Sequence, residues 1–171
     1  ILPNAWIELR TKSVATQVLQ KMNPLSNAVV AFSFTPDEVS QQIEHGVPPV
    51  SSRIKTMKKL AELGWKLGLR IDPLIHCQDF ELRYNKLFEE IFGAMPEESI
   101  HSVSLGAFRM PSGFFKKIEK LYPEERLLAG SWEKKDGMIA YQQEIESELK
   151  STSQKLILNY VPQSKLFTCE T

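Results

Sequence analysis

The stretch Ala28-Val29-Val30-Ala31-Phe32-Ser33-Phe34 constrains this chain more than any other. It is almost continuously apolar and rich in β-branched and aromatic residues, which reads as a strand buried on both faces. Strands of that kind belong to parallel sheets with helices packed against them. Thr35-Pro36-Asp37-Glu38 follows at once and predicts a capping box with Pro at the first helical position, opening a helix that ends near Glu44, before Gly46.

The same alternation runs along the rest of the chain. Trp6 to Thr11 predicts a strand, and Val14 to Met22 a helix with Val14, Val18 and Leu19 on one face, stopped at Asn23-Pro24. Ser51 or Ser52 is the expected cap of a helix carrying Ile54, Met57, Leu60 and Ala61, with Gly64 past its end. Leu67 to Asp72 predicts a strand, and Asp79 the cap of a helix with Phe80, Tyr84, Leu87, Phe88 and Ile91 on one face, ended by Gly93. Ser102 to Phe108 and Ser112 to Tyr122 give another strand and helix. The tail predicts a hairpin between Leu127 and Tyr141, a helix from about Gln142 and an edge strand at Lys165 to Thr168. Strand–helix units of this length imply right-handed crossovers in a parallel sheet. They are too few to close a barrel, so the edge at Trp6 is expected to be bare, or covered by something outside the chain or by a second copy. A complete small α/β sheet domain is the alternative.

Composition narrows the function classes. The chain has 171 residues, 42% of them apolar and 25% charged, as in an ordinary globular protein with a real core. No run is long and apolar enough to span a membrane, and Ile1 to Arg10 has no signal-peptide pattern. The chain starts at Ile1 rather than Met, which fits processing and a piece of a longer protein equally well. Lys plus Arg and Asp plus Glu are 21 each, so there is no basic surplus for holding nucleic acid through its phosphates. The two cysteines, Cys77 and Cys169, sit in no metal-ligand spacing, so no metal site is expected from this chain alone. Reduced thiols and a cytoplasmic location are the expectation.

Ligands of parallel α/β folds bind at the carboxyl ends of the strands. The residues expected there are Thr11 and Lys12, Ser33, Asp72 and His76, and Gly106 and Arg109. A lysine, a serine, an aspartate, a histidine and an arginine on one rim make a polar pocket without specifying a reaction. Each also has a plainer role available: a solvated helix start for Lys12, a backbone hydrogen bond for Ser33, a turn for Asp72-Pro73, a satisfied ring for His76 and an ion pair for Arg109. There is no Gly-rich phosphate loop, GxSxG elbow or HExxH.

Several collinear segments resemble spore photoproduct lyase and its relatives. They are Phe32-Ser33-Phe34, then Glu44-His45-Gly46 with Arg53-Ile54 at the family's E-x-G-x₆-R spacing, then Ala61-Glu62-Leu63-Gly64-Trp65-Lys66-Leu67-Gly68. Asp72-Pro73-Leu74, Tyr84 and Leu87, Ser102 to Arg109, Ile118 to Pro123 and Ala140-Tyr141-Gln142 follow in order. The resemblance implies the C-terminal half of a partial (βα)6 TIM-type barrel, α/β with parallel strands and flanking helices. Residues 1–125 are then the barrel units, and residues 126–171 a hairpin and helix packed on them. It implies a radical S-adenosylmethionine lyase with a [4Fe–4S] cluster that splits a thymine dimer in DNA. Lys12 and Ser33 match residues that contact S-adenosylmethionine in that family, and Asp72 stands where the family has a small residue. His76, Arg109, Trp132 and Tyr141 are the substrate-side candidates.

The family's CxxxCxxC loop and its hydrogen-donating cysteine precede the first strand seen here, so the chain is expected to need the missing N-terminal half and to be inactive alone. The DNA-gripping hairpin corresponds to Ser131 to Gly137, which has no arginine, so weak DNA binding, with Kd at or above about 10⁻⁴ M, is expected. Two further possibilities stay open: a non-catalytic half-barrel used for binding or dimerisation through its sheet edge, and a radical S-adenosylmethionine enzyme with a substrate other than DNA.

Overall fold

A computed structural model describes residues 5–169. Five strands form one parallel sheet: β1 (Ile7–Thr11), β2 (Ala28–Ser33), β3 (Lys66–Leu74), β4 (Ile100–Ala107) and β8 (Leu166–Thr168), in the order β1-β2-β3-β4-β8. Every pairing is parallel. Helices α1 (Asp37–Ile43), α2 (Val50–Glu62), α3 (Phe80–Ala94) and α5 (Gln143–Ile157) accompany the sheet, and α4 (Ser112–Leu121) adjoins a second, smaller sheet. The architecture is the expected α/β partial barrel: a parallel sheet with flanking helices.

The register divides the strand residues between two faces. Val30, Phe32, Leu67, Leu69, Ile71, Val103, Leu105 and Leu166 join Met57, Leu60, Phe88 and Ile91 from the helices in one core. The opposite, concave face is polar. It carries Glu8 and Arg10 of β1, Val29, Ala31 and Ser33 of β2, Gly68, Arg70 and Asp72 of β3, and Ser102 and Ser104 of β4. Even β2, buried throughout, keeps its small residues on this side. A Cβ on Gly68 would lie 2.8 Å from Arg70 Nη2, and one on Gly106 would lie 2.8 Å from Asp72 Oδ1. The two glycines thus clear the floor for two charged side chains that lie flat along the sheet.

Local expectations met several corrections. Where Val14 to Met22 predicts a helix, only Leu19–Lys21 forms a 3₁₀ turn. Thr11 Oγ1 accepts the Ser13 N–H at 2.8 Å, and Ser13 Oγ accepts the Ala15 N–H at 3.0 Å, so side chains take the backbone groups a helix would use. Thr35 forms no capping box. The α1 helix starts at Asp37 with Pro36 at its cap position, and the Thr35 hydroxyl donates instead to Glu44 Oε1 at 2.7 Å, because a buried carboxylate is the stronger acceptor. Pro49, rather than Ser51 or Ser52, stands at the cap of α2, and Asp79 precedes α3 in the left-handed region without a side-chain cap bond. Gly93 lies inside α3 and does not end it. The α2 terminus does follow expectation. Gly64, at φ +86°, donates to the Ala61 carbonyl, and Trp65 N–H reaches back to Leu60, which is a Schellman closure.

The second sheet is antiparallel, ordered β5 (Arg109–Pro111), β7 (Met138–Tyr141), β6 (Trp132–Lys135). The expected hairpin turns at Asp136 and Gly137, both at positive φ, the type I′ geometry that suits the strand twist. The third strand, β5, is too short to announce itself in sequence; it leaves β4 through Phe108 and ends on Pro111, an edge position that proline tolerates. β1 is the opposite edge of the main sheet. Trp6, Ile7 and Leu9 are 54%, 47% and 42% exposed, and among the described residues no strand pairs beyond β1.

Candidate functional site at the carboxyl rim

Strand ends place the rim residues, and a buried carboxylate gathers them. Glu44, just past α1, accepts four hydrogen bonds. Lys12 Nζ and Thr35 Oγ1 donate to its Oε1, while Ser40 Oγ at 2.8 Å and Arg53 Nη2 at 3.0 Å donate to its Oε2. Burial alone would raise the Glu44 pKa, but the bonds from Lys12, Thr35 and Ser40 outweigh it and hold the carboxyl below its ordinary value. Arg53, with its side chain 0% exposed, also donates from Nη1 to the Ser33 carbonyl at 2.9 Å and lies 5.5 Å from the Phe34 ring centroid. Lys12, half-buried, and Ser33, at the end of the adjacent parallel strand, therefore share one rim as expected.

A second cluster lies just inside that rim. Arg10 Nε donates to Ser33 Oγ at 3.4 Å, and Arg10 Nη2 reaches the Asp72 carbonyl at 3.5 Å and its Oδ2 at 3.6 Å. Asp72 Oδ1 and Arg109 Nη1 fill the space over Gly106, at 2.8 and 3.3 Å from where a Cβ would lie, and Arg109 Nη1 donates to the Ala107 carbonyl at 3.5 Å. One layer further down, Arg70 grips Glu8 through both carboxylate oxygens, at 3.0 and 2.6 Å, and Ser102 Oγ at 3.0 Å. The bond from Arg70 leads the effects that keep the Glu8 carboxyl below its usual value.

His76, Trp132 and Tyr141 form a separate group. The His76 N–H donates to the Tyr141 hydroxyl at 3.0 Å, and the two rings meet edge-on at 6.2 Å. Trp132 stacks on Tyr141 at 4.7 Å, touches Phe108 and Phe115, and donates its indole N–H to the Leu128 carbonyl at 3.1 Å. Trp132 is thus tied into its own sheet, a role its sequence position did not reveal. Burial pushes the Tyr141 phenol up to about 12, so it stays protonated near neutral pH. Replacing Tyr141 with Phe is expected to lower the unfolding free energy by about 1–3 kcal/mol, because the His76 N–H then lacks its acceptor. Urea denaturation of the variant checks this, and an unchanged midpoint and slope would refute that bond.

The structure thus links Lys12, Ser33 and Asp72 along one rim, brings Arg109 alongside Asp72 over Gly106, and sets His76, Trp132 and Tyr141 beside it. Glu44, Arg53 and Arg10 carry the connections, and none of them stood out as a site residue in the sequence. The E-x-G-x₆-R spacing holds the signal for the first two. The rim offers cations to a carboxylate or phosphate, and Asp72 to an ammonium or hydroxyl. Among the described residues no group of three or more His, Cys, Asp or Glu could hold a metal ion, and no helix is long and apolar enough to cross a membrane. Cys77 and Cys169 are free, and burial pushes the Cys77 thiol up, away from the thiolate a metal needs.

Comparison with known proteins matches residues 6–168 to the family model described as spore photoproduct lyase. The spore photoproduct lyase of Bacillus subtilis (strain 168) is 27% identical over 144 residues, which are 79% of this chain and 42% of that protein. Among solved structures, a spore photoproduct lyase double mutant with bound AdoMet and dinucleoside spore photoproduct aligns with a TM-score of 0.78 at 21% identity. A single cysteine-to-alanine mutant of spore photoproduct lyase aligns at 0.82 and 22% identity. Both alignments cover 95% of this chain and 50% of the other. The chain therefore spans about half the length of the relatives it matches.

Proposed function

Because the chain belongs to the spore photoproduct lyase family, matched over residues 6–168, we propose that it is the C-terminal half of a radical S-adenosylmethionine lyase that repairs a thymine dimer in DNA. The supporting observation is the joining of Lys12, Ser33 and Asp72 by Glu44, Arg53 and Arg10 at the carboxyl rim of a half-barrel. The donor set suits S-adenosylmethionine. Lys12 faces the methionyl carboxylate, the Ser33 hydroxyl bonds the ribose or amino-acid end, and Asp72 complements the ammonium. When bound with a reduced [4Fe–4S] cluster, that cofactor supplies the radical chemistry that opens the dimer.

The thiolates for the cluster do not come from Cys77 and Cys169, so the cluster and the hydrogen-donating cysteine are assigned to an N-terminal half. That half docks along β1, whose edge and outer apolar residues Ile7 and Leu9 are open. Residues 126–171 serve as the extension that walls the rim. There His76 and Arg109 face the lesion, and Trp132 and Tyr141 pack behind them, the neutral Tyr141 phenol holding the His76 backbone N–H.

The test uses the full-length protein and equilibrium dialysis with S-adenosylmethionine in the absence of reductant. Lys12→Met is expected to weaken binding about 10–150-fold, the value of one hydrogen bond to a charged group. Conversion of a dimer-containing oligonucleotide should fall with it. Undiminished affinity would remove Lys12 from the site.

A further inference from the structure

A lysine at a strand end does not by itself present its charge at a defined place. Its flexible four-carbon stem carries rotamer entropy, which a ligand must overcome if nothing else does. In this chain something else does. We propose that Glu44, braced by Arg53, is a positioning residue that sets the Lys12 ammonium at the rim before the ligand arrives. This rests on the reading that Lys12 receives the carboxylate of S-adenosylmethionine.

Glu44 is suited to the task because it cannot itself move. Its carboxylate oxygens are held from three other places: Thr35 in the turn after β2, Ser40 on α1 and Arg53 on α2. Arg53 is fully buried, and its Nη1 is bound to the carbonyl of Ser33. One guanidinium therefore ties the partner of Lys12 to the backbone of the second rim residue, so Lys12 and Ser33 keep a common register. The charges also balance in the right way. Glu44 and Arg53 cancel each other, leaving the Lys12 charge uncompensated toward an anionic ligand. Glu44 takes one of the three ammonium protons, and the half-exposed side of Lys12 leaves the others for the ligand. A bare Lys–Glu pair would have neutralised the site.

A hub that merely stabilised the loops would change folding without a specific link to Lys12. Equilibrium dialysis of S-adenosylmethionine on the full-length protein, without reductant, separates the two. Glu44→Gln is expected to weaken binding about 2–10-fold, the cost of immobilising one long side chain at binding. In a protein that already carries Lys12→Met, it should have no further effect. Losses that multiply in the double variant would show that Glu44 does not act through Lys12 and overturn the inference. So would full affinity in Glu44→Gln while Lys12→Met is impaired. If Lys12→Met itself binds normally, the underlying reading fails first and takes this one with it. Should Glu44→Gln not fold, by circular dichroism, Thr35→Val with Ser40→Ala removes two of the donors and keeps both ion pairs. Weakened binding that vanishes in the Lys12→Met background supports the inference, and unchanged binding refutes it.

Discussion

Replacing Glu44 with Leu is expected to lower the unfolding free energy by about 3–5 kcal/mol near neutral pH, since it leaves a buried arginine without its counter-charge. Arg53 is 0% exposed and has no water to turn to. The variant also strips Lys12, Thr35 and Ser40 of their acceptor. The pH dependence has a definite sign. Glu44 has a lowered carboxyl pKa in the folded protein, so its stabilisation is fully present above its ordinary value of 4.5 and is lost as the pH falls through the folded value. The gap between the wild-type and Glu44→Leu stabilities should therefore narrow as the pH falls below about 4.5. Urea denaturation across that range measures both. A neutral-pH difference under about 1 kcal/mol, the size of an exposed pair, would refute the buried hub. A gap that stays constant into acid would refute the direction of the pKa.

Trp65→Ala is expected to cost a similar amount, about 3–5 kcal/mol, by emptying a large buried site. Trp65 is 1% exposed, and its indole N–H donates to the Leu19 carbonyl at 3.1 Å. That bond pins the Leu19–Lys21 turn, the one helical piece of the connection from β1 to β2, against the end of α2. The loss should therefore also be local, with faster amide exchange in residues 13–27 than in α3. Trp65→Phe keeps most of the volume but leaves the Leu19 carbonyl with only the 3.4 Å bond from the Met22 N–H, so it should cost less overall and still loosen the turn. Calorimetry with hydrogen exchange checks both halves. If exchange rises equally everywhere, the indole bond does not hold that turn.

Periodicity was enough to find the strands of the main sheet, since a run such as Ala28–Phe34 has only one environment that suits it. It was not enough at Val14 to Met22, where apolar spacing suits a helix but Thr11 and Ser13 compete for the backbone. Nor was it enough at Thr35, whose capping-box sequence was outbid by a carboxylate nine residues on. Lys12 and Ser33 were legible as rim residues from their strand-end positions, their cofactor role came from the resemblance alone, and their closeness follows from two adjacent parallel strands.

What the sequence determined by itself was the α/β class, the polar residues at the strand ends and the absence of cluster-ligand spacing among the cysteines. These depend on residue type and local order along the chain. Only the tertiary structure decided that Glu44 and Arg53 are the centre of the rim, that Arg10 and Asp72 share its inner layer, and that Trp132 packs on Tyr141. Such contacts join residues 9 to 62 positions apart. Whether a charge is solvated or buried depends on which elements close over it, and no local pattern in the chain records that.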